Sequence, residues 1–142
     1  MSRRTEREAV FKLLFRREFN SDEEMMQQIS FFFDETEESG RLNDEEKEIV
    51  EGRYNRIVDF LPEIDNIISA NAEGWDISRM GKVDLTIIRL AVFEIRFDDD
   101  IPELVAIDEA VEIAKKYGGD ASPSFVNGVL AKVVVKPGEN DE

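Results

Sequence analysis

Residues 83–95 read VDLTIIRLAVFEI, and this stretch is apolar around nearly its whole circumference if it is wound as a helix. Such a helix must lie at the centre of a bundle, where other elements cover it on most sides. The β-branched residues in it would also suit a buried strand. The length of the stretch and the lack of a partner strand favour a central helix.

Amphipathic helical periodicity continues on both sides of this central stretch. Before it, the apolar spacing predicts two helices, then a polar loop at residues 35–41, then two more helices that Glu73-Gly74-Trp75 closes. After it, the spacing predicts a sixth helix that stops at Gly118-Gly119 and a seventh. The start signals are Asn20-Ser21-Asp22, Asn43-Asp44-Glu45-Glu46, Pro62 and Ser122-Pro123. The sequence therefore predicts an all-α protein of about seven helices, without a sheet.

Composition excludes most catalytic chemistry. The 142 residues contain neither cysteine nor histidine, so nucleophile–histidine pairs, thiolate chemistry and histidine-containing metal sites cannot form. Carboxylate-only catalysis or a carboxylate-bound hard cation remains open, and Asp98-Asp99-Asp100 could attract magnesium. This run lies between two predicted helices and just before Ile101-Pro102, so we interpret it as a solvated loop. The sequence predicts a binding protein with no catalytic residues, no metal and no cofactor.

The hydropathy of the sequence bears on the cellular compartment of the protein. No apolar run approaches the roughly 20 residues that a membrane helix needs. The start, Met-Ser-Arg-Arg-Thr-Glu-Arg, leads into a charged amphipathic stretch rather than into the apolar core of a secretory signal. We therefore expect a cytoplasmic protein that has no membrane partner.

Charge is distributed unevenly along the chain. The net charge is −15, but residues 1–17 carry six basic and two acidic side chains, while the remainder carries 12 basic and 31 acidic ones. One basic end on an acidic body can hold a phosphate backbone at that end and repel it elsewhere. An arginine-rich helix start that is simply solvated would produce the same pattern, so charge alone leaves both interpretations open.

Several motifs, in order and with similar spacing, resemble the NusB family of transcription antitermination factors. They span about residues 3–133 and occupy five places. The motifs are Arg7-Glu8-Ala9-Val10 with Leu14-Phe15, Glu63-Ile64-Asp65 before Trp75, Val83-Asp84 with residues 88–95 (IRLAVFEI), residues 107–118 (IDEAVEIAKKYG), and Ser122 with residues 125–130 (FVNGVL). Each motif alone is weak, whereas the ordered set is specific.

The resemblance implies both a fold and a function. The fold is a single helical domain over residues 1–135, with an N-terminal subdomain of about 1–72, a C-terminal subdomain of about 76–135 and a flexible acidic tail at 136–142. The function is to bind single-stranded boxA-type RNA together with NusE, a small-subunit ribosomal protein. That pair nucleates an RNA polymerase antitermination complex, notably on ribosomal RNA operons.

The resemblance also assigns residues to these roles. Arg3, Arg4 and Arg7 are similar to the arginine-rich RNA-binding start of the family, and guanidinium groups suit phosphates and base edges. Phe125 resembles an aromatic residue near the RNA edge.

Phe15, with Phe19 in register beside it, lies on the surface that resembles the NusE-docking face. The family usually has tyrosine where Phe15 stands. Asp84 stands at a matching acidic position on the same kind of surface.

Several of these residues also have purely structural interpretations. Phe15 and Phe125 could equally belong to the core, because each falls in register with apolar neighbours. We interpret Arg89 and Glu94 as an internal ion-paired couple with a structural role. We interpret Asn127-Gly128, inside a predicted helix, as a site of close helix packing.

Two other functions compete with the main one. An acidic helical protein-binding module without specific RNA recognition would retain its partner when Arg3, Arg4 and Arg7 are removed. Alternatively, NusB-like domains precede the catalytic part of some RNA cytosine methyltransferases, although no nucleotide-binding half follows here. The few basic residues also predict weak, salt-sensitive RNA binding by the protein alone. The sequence does not decide whether the free protein is a monomer or a homodimer.

Overall fold

The computed structural model describes residues 1–38, 40, 42–72, 74 and 76–135. Within these ranges the chain forms seven α-helices, one short 3₁₀ turn at Ile77–Arg79 and no strand, which confirms the all-α prediction. The helices are α1 (Arg3–Arg17), α2 (Asp22–Glu38), α3 (Asp44–Asp59), α4 (Leu61–Asn71), α5 (Lys82–Phe97), α6 (Glu103–Tyr117) and α7 (Ser122–Val135). The predicted tail at 136–142 and the residues Glu73 and Trp75 lie outside the described part.

Reciprocal side-chain caps fix the starts of α2 and α3. Ser21 Oγ accepts the backbone N–H of Glu24 at 3.2 Å, while Glu24 accepts the N–H of Ser21 at 2.7 Å. Asn43 and Glu46 repeat the exchange at 2.9 and 3.0 Å. Each exchange satisfies N–H groups that a helix start leaves without partners.

The second helix is longer than its apolar spacing predicts. Residues 35–38 continue α2 instead of entering the predicted polar loop, which is therefore wrong for those four residues. Glutamate is a good helix former, and a helix can extend past its last buried side chain when the polar residues that follow have high helix propensity. Ser39 and Arg41, also part of that predicted loop, lie outside the described residues.

The chain divides into two compact units, Met1–Asp59 and Phe60–Glu142. In the first unit α1 packs against both α2 and α3. Its core is apolar, with Val10, Leu13, Val50 and Ile57 almost fully buried. The expected division near residues 72–76 stays a prediction; within the second unit α4 packs with α5 and α7.

The second unit is built around α5. This helix packs against α4, α6 and α7, as the apolar stretch at 83–95 predicts, and nine of its residues are buried. Phe93 of α5 contacts Phe60, whose ring stacks on Phe97 with 4.5 Å between centroids. Arg96 Nη2 donates to the Val133 backbone oxygen at 3.3 Å, which links the end of α5 to α7.

The polar residues of this unit depart in part from expectation. Glu94 is only 2% exposed and Arg89 is half-buried, and Arg89 also pairs with Asp65 of α4, which the sequence interpretation did not name. The predicted loop at 98–100 is confirmed as a turn, in which Asp98 Oδ1 accepts the Asp100 N–H at 3.0 Å.

Two glycines of the second unit have opposite surroundings. Gly118 ends α6, and a Cβ atom there would lie 2.5 Å from the Ser122 Cβ, so glycine is required. A Cβ at Gly128 would meet nothing within 4 Å. The predicted close helix packing at Asn127-Gly128 is therefore wrong, since both residues are exposed on the outer face of α7.

Candidate functional site

The start of α1 presents two arginines to solvent. Ser2 caps the helix by accepting the Thr5 N–H at 3.0 Å, which places Arg3 and Arg4 in the first turn. Both side chains are exposed. The N-terminal end of a helix also carries a partial positive charge. Two guanidinium groups beside that end favour an anionic ligand such as a phosphate.

Arg7 is placed differently from the other two arginines. It is only 7% exposed and lies on the same side of α1 as the buried Val10 and Leu14, three and seven residues further on. A ligand in solution can therefore reach little of its side chain. The i, i+3, i+7 spacing of Arg7, Val10 and Leu14 is visible in the sequence. It indicates that Arg7 lies beneath the exposed arginines and has a supporting role there.

The remaining arginines of α1 are engaged with α2. Arg16 donates to Glu35 Oε2 and to the Gln28 backbone oxygen, both at 3.2 Å, and its guanidinium lies 5.3 Å from the centre of the Phe32 ring. Arg17 pairs with Asp22 at 3.4 Å. Within α1, the exposed arginines are therefore Arg3 and Arg4 of the first turn.

Three phenylalanines form a ladder at the other end of α1. Phe11 is buried, Phe15 is half-buried and Phe19, which follows the helix, is 61% exposed. The Phe11 and Phe15 rings stack at 6.1 Å, and the Phe15 and Phe19 rings meet edge to face at 5.1 Å. Phe15 thus contacts the buried Phe11 on one side and the exposed Phe19 ring on the other, and its role in partner docking stays a prediction.

The arginines and the aromatic ladder form two separate surfaces. Arg3 and Phe15 are twelve residues apart on one helix, which corresponds to about 18 Å along its axis. α1 therefore has a basic end suited to an anion and an aromatic end suited to an apolar partner.

The second unit contains the other two predicted site residues. Asp84 lies in the first turn of α5, half-buried, where an acidic side chain is favoured by the positive end of the helix. Phe125 lies in α7, half-buried between the exposed Ser124 and the buried Val126. The sequence interpretation missed that Asn127 and Gly128 extend this exposed face of α7.

Neither a metal-binding cluster nor a membrane-spanning helix occurs in the described part of the chain. Among these residues there is no group of three or more acidic side chains arranged to hold a metal ion. None of the described helices is long and apolar enough to cross a membrane.

Comparisons with known proteins agree with the geometry. The transcription antitermination protein NusB of Lachnoclostridium phytofermentans is 52% identical over 134 residues, which cover 94% of this chain and 99% of that protein. A structure of T. maritima NusB is 40% identical, with a TM-score of 0.83 and coverage of 99% and 97% of the two chains. A crystal structure of the antitermination factors NusB and NusE with dsRNA contains a chain that is 27% identical, with a TM-score of 0.76 and coverage of 94% and 96%. The NusB family profile matches residues 4–135, and the chain belongs to the NusB family.

Proposed function

We propose that this chain is a transcription antitermination factor that binds RNA jointly with NusE and supports transcription of ribosomal RNA. The observation that carries the proposal is the pair of exposed arginines at the capped start of α1, in a fold whose relative has been crystallised with NusE and RNA. The role is one of binding rather than catalysis. Since bacterial transcription takes place in the cytoplasm, the protein works there.

Arg3 and Arg4 are the direct RNA contacts in this proposal. Their guanidinium groups reach solvent, whereas the burial of Arg7 gives that residue a supporting role beneath them. Phe125 supplies an apolar face in the second unit against which a base can stack. Two phosphate contacts support only weak binding that falls with salt, so NusE contributes much of the RNA surface.

NusE docks on the exposed aromatic end of α1 and on Asp84. Phe19 presents a ring to solvent at the edge of the first unit, and Phe15 holds that ring in place. Aromatic side chains are enriched among the residues that dominate the energy of protein interfaces. The half-buried carboxylate of Asp84 supplies a charged contact in the second unit.

The proposal also specifies which class of RNA is bound, single-stranded or double-stranded. We propose single-stranded boxA-type RNA, because unstacked bases present edges that side chains can read. The related complex contains dsRNA, so duplex RNA is the comparison that matters. The alternative function is protein binding without specific RNA recognition, which the strongly acidic body and the burial of Arg7 favour.

Fluorescence anisotropy tests the proposal. A labelled boxA RNA, a scrambled strand and a duplex of the same sequence are each titrated with this protein, with NusE and with both. We expect the pair to bind the boxA strand much more tightly than either protein alone, and more tightly than the two control RNAs. If NusE docks while boxA and scrambled RNA bind equally, the protein-binding alternative is correct.

A further inference from the structure

The outer face of α6 carries two neighbouring apolar side chains. Leu104 is 70% exposed and Val105 is 44% exposed, while the opposite face of the same helix is buried through Ala106, Ala110 and Ala114. Five other large hydrophobic residues are exposed in the described part of the chain, namely Met1, Phe19, Met26, Phe31 and Ile49. Leu104 and Val105 are the only two of the seven that are adjacent in sequence.

These two side chains lie outside the buried face of α6. Valine has a lower helix propensity than the straight-chain polar residues that usually occupy exposed helix positions. The contacts that attach α6 to the second unit come from its buried face. Isolated exposed apolar residues are ordinary, whereas contiguous ones rimmed by polar groups mark interaction sites.

The rim of this apolar pair is acidic. Residues 97–114 contain seven aspartates and glutamates and no lysine or arginine. Asp99 and Asp100 are exposed in the turn before α6, and Asp108 is exposed one turn after Leu104 on the same face. The first basic residue, Lys115, is already paired with Glu112 at 2.9 Å.

We propose that this α6 acidic surface, formed by Leu104 and Val105 with Asp99, Asp100 and Asp108, docks a lysine- or arginine-rich amphipathic helix of a partner protein. The leucine and valine supply apolar anchors, and the carboxylates pair with basic residues that flank the apolar stripe of such a helix. The negative charge of these carboxylates repels RNA and anionic membranes, so neither is expected to bind this surface. A second copy of the chain is also disfavoured, since each copy carries a net charge of −15.

This surface shares no residue with the proposed RNA and NusE contacts. The docking site can therefore fail while RNA binding with NusE succeeds, and the reverse also holds. A variant that alters α6 alone separates the two.

A designed peptide tests the docking site. The probe is a short helical peptide with leucines on one face and lysines on the other, titrated into the isotope-labelled full-length protein and followed by amide NMR shifts. We expect the shifts to centre on residues 99–108 and the affinity to fall about tenfold in the Leu104→Ser, Val105→Ser double variant, which removes both apolar anchors. Asp108→Lys is a second variant, expected to weaken binding through charge alone.

The controls separate specific docking from general attraction to an acidic protein. Met26→Ser removes another exposed apolar residue that has acidic neighbours, and this variant is expected to bind the peptide as the original does. The proposal is overturned if a peptide of lysines without leucines binds equally well, or if the shifts spread over both units. It is also overturned if sedimentation shows self-association that the Leu104→Ser, Val105→Ser variant abolishes, because the occupant is then a second copy.

Discussion

Arg89 of α5 and Asp65 of α4 form a two-pronged ion pair. The Arg89 Nε donates to Asp65 Oδ1 at 2.9 Å, and its Nη2 donates to Oδ2 at 3.0 Å. The side chains are 15% and 32% exposed, so water only partly screens the pair. The two planar groups match in geometry, which fixes the register of α4 against the central helix.

Replacement of Arg89 tests this register. Arg89→Ala leaves the partly buried Asp65 carboxylate without its bidentate partner and is expected to lower the free energy of unfolding by about 2 kcal/mol. Arg89→Lys recovers only part of the loss, because an ammonium cannot donate two parallel hydrogen bonds. Urea unfolding of the single variants and of Arg89→Ala with Asp65→Ala provides the coupling energy. Additive losses would show that the pair contributes nothing beyond its separate side chains.

The same substitution at two glycines is expected to have opposite effects. Gly118→Ala places a Cβ 2.5 Å from Ser122 Cβ and 2.9 Å from the Ala114 oxygen, which is expected to cost about 1–3 kcal/mol of stability. Gly128→Ala adds a methyl group in open space within a helix and is expected to gain about 0.5–1 kcal/mol. Thermal unfolding of both variants checks the signs. A destabilised Gly128→Ala would contradict the exposed position of that residue.

Because the Tyr54 phenol is buried, the folded protein is expected to lose stability at alkaline pH. Burial raises the pKa of this phenol above its ordinary value, and the nearby Arg17 only partly opposes the effect. In the unfolded chain the group ionises at about pH 10, whereas in the folded protein it retains its proton to higher pH. The folded state is therefore expected to lose stability as the pH rises above about 10. Urea unfolding at pH 8 and above pH 10 should show a shallower decline for Tyr54→Phe, and an equal decline would contradict the prediction.

Replacement of Phe19 tests the proposed NusE-binding surface without disturbing the core. Its ring is 61% exposed, so Phe19→Ala should leave thermal stability nearly unchanged while weakening NusE binding about tenfold or more, as loss of an aromatic anchor does. Met26→Ala removes an apolar side chain that is 78% exposed in the same unit and serves as the control. Calorimetric titration with NusE compares the two. Equal affinities would place the NusE contact elsewhere.

Much of the fold follows from local sequence signals. The caps at Ser21 and Asn43 start α2 and α3 because their side chains satisfy N–H groups within three residues. The continuous apolar stretch at 83–95 predicts the central position of α5, since no other place covers a helix on most sides. The division of the chain into units depends on which helices α4 contacts, and local spacing carries no information about that.

The sequence predicts the residue types of the candidate site, but of their exposures only the burial of Arg7 could be read from the helical register. The arginines at 3, 4 and 7 look equivalent in composition, yet the helical register buries Arg7 beside Val10. Arg16 and Arg17 offer less positive charge to a ligand than a count of arginines indicates. The reason is that Glu35 binds Arg16 and Asp22 binds Arg17. Asp65, the partner of Arg89, lies 24 residues away in the sequence, and no local pattern identifies it.

The contribution of the two exposed arginines is measured by the salt dependence of boxA binding in the presence of saturating NusE. The anisotropy titration compares the original protein with Arg3→Ala, Arg4→Ala and with a control, Arg56→Ala, Arg79→Ala, that removes the same charge from exposed positions elsewhere. We expect the first pair to weaken RNA binding severalfold and to reduce the slope of log affinity against log salt by about one to two, because each arginine contact releases about one counterion. The control should leave both quantities nearly unchanged. Equal effects of the two double variants would show that net charge alone governs RNA binding, and would contradict a specific RNA site at the start of α1.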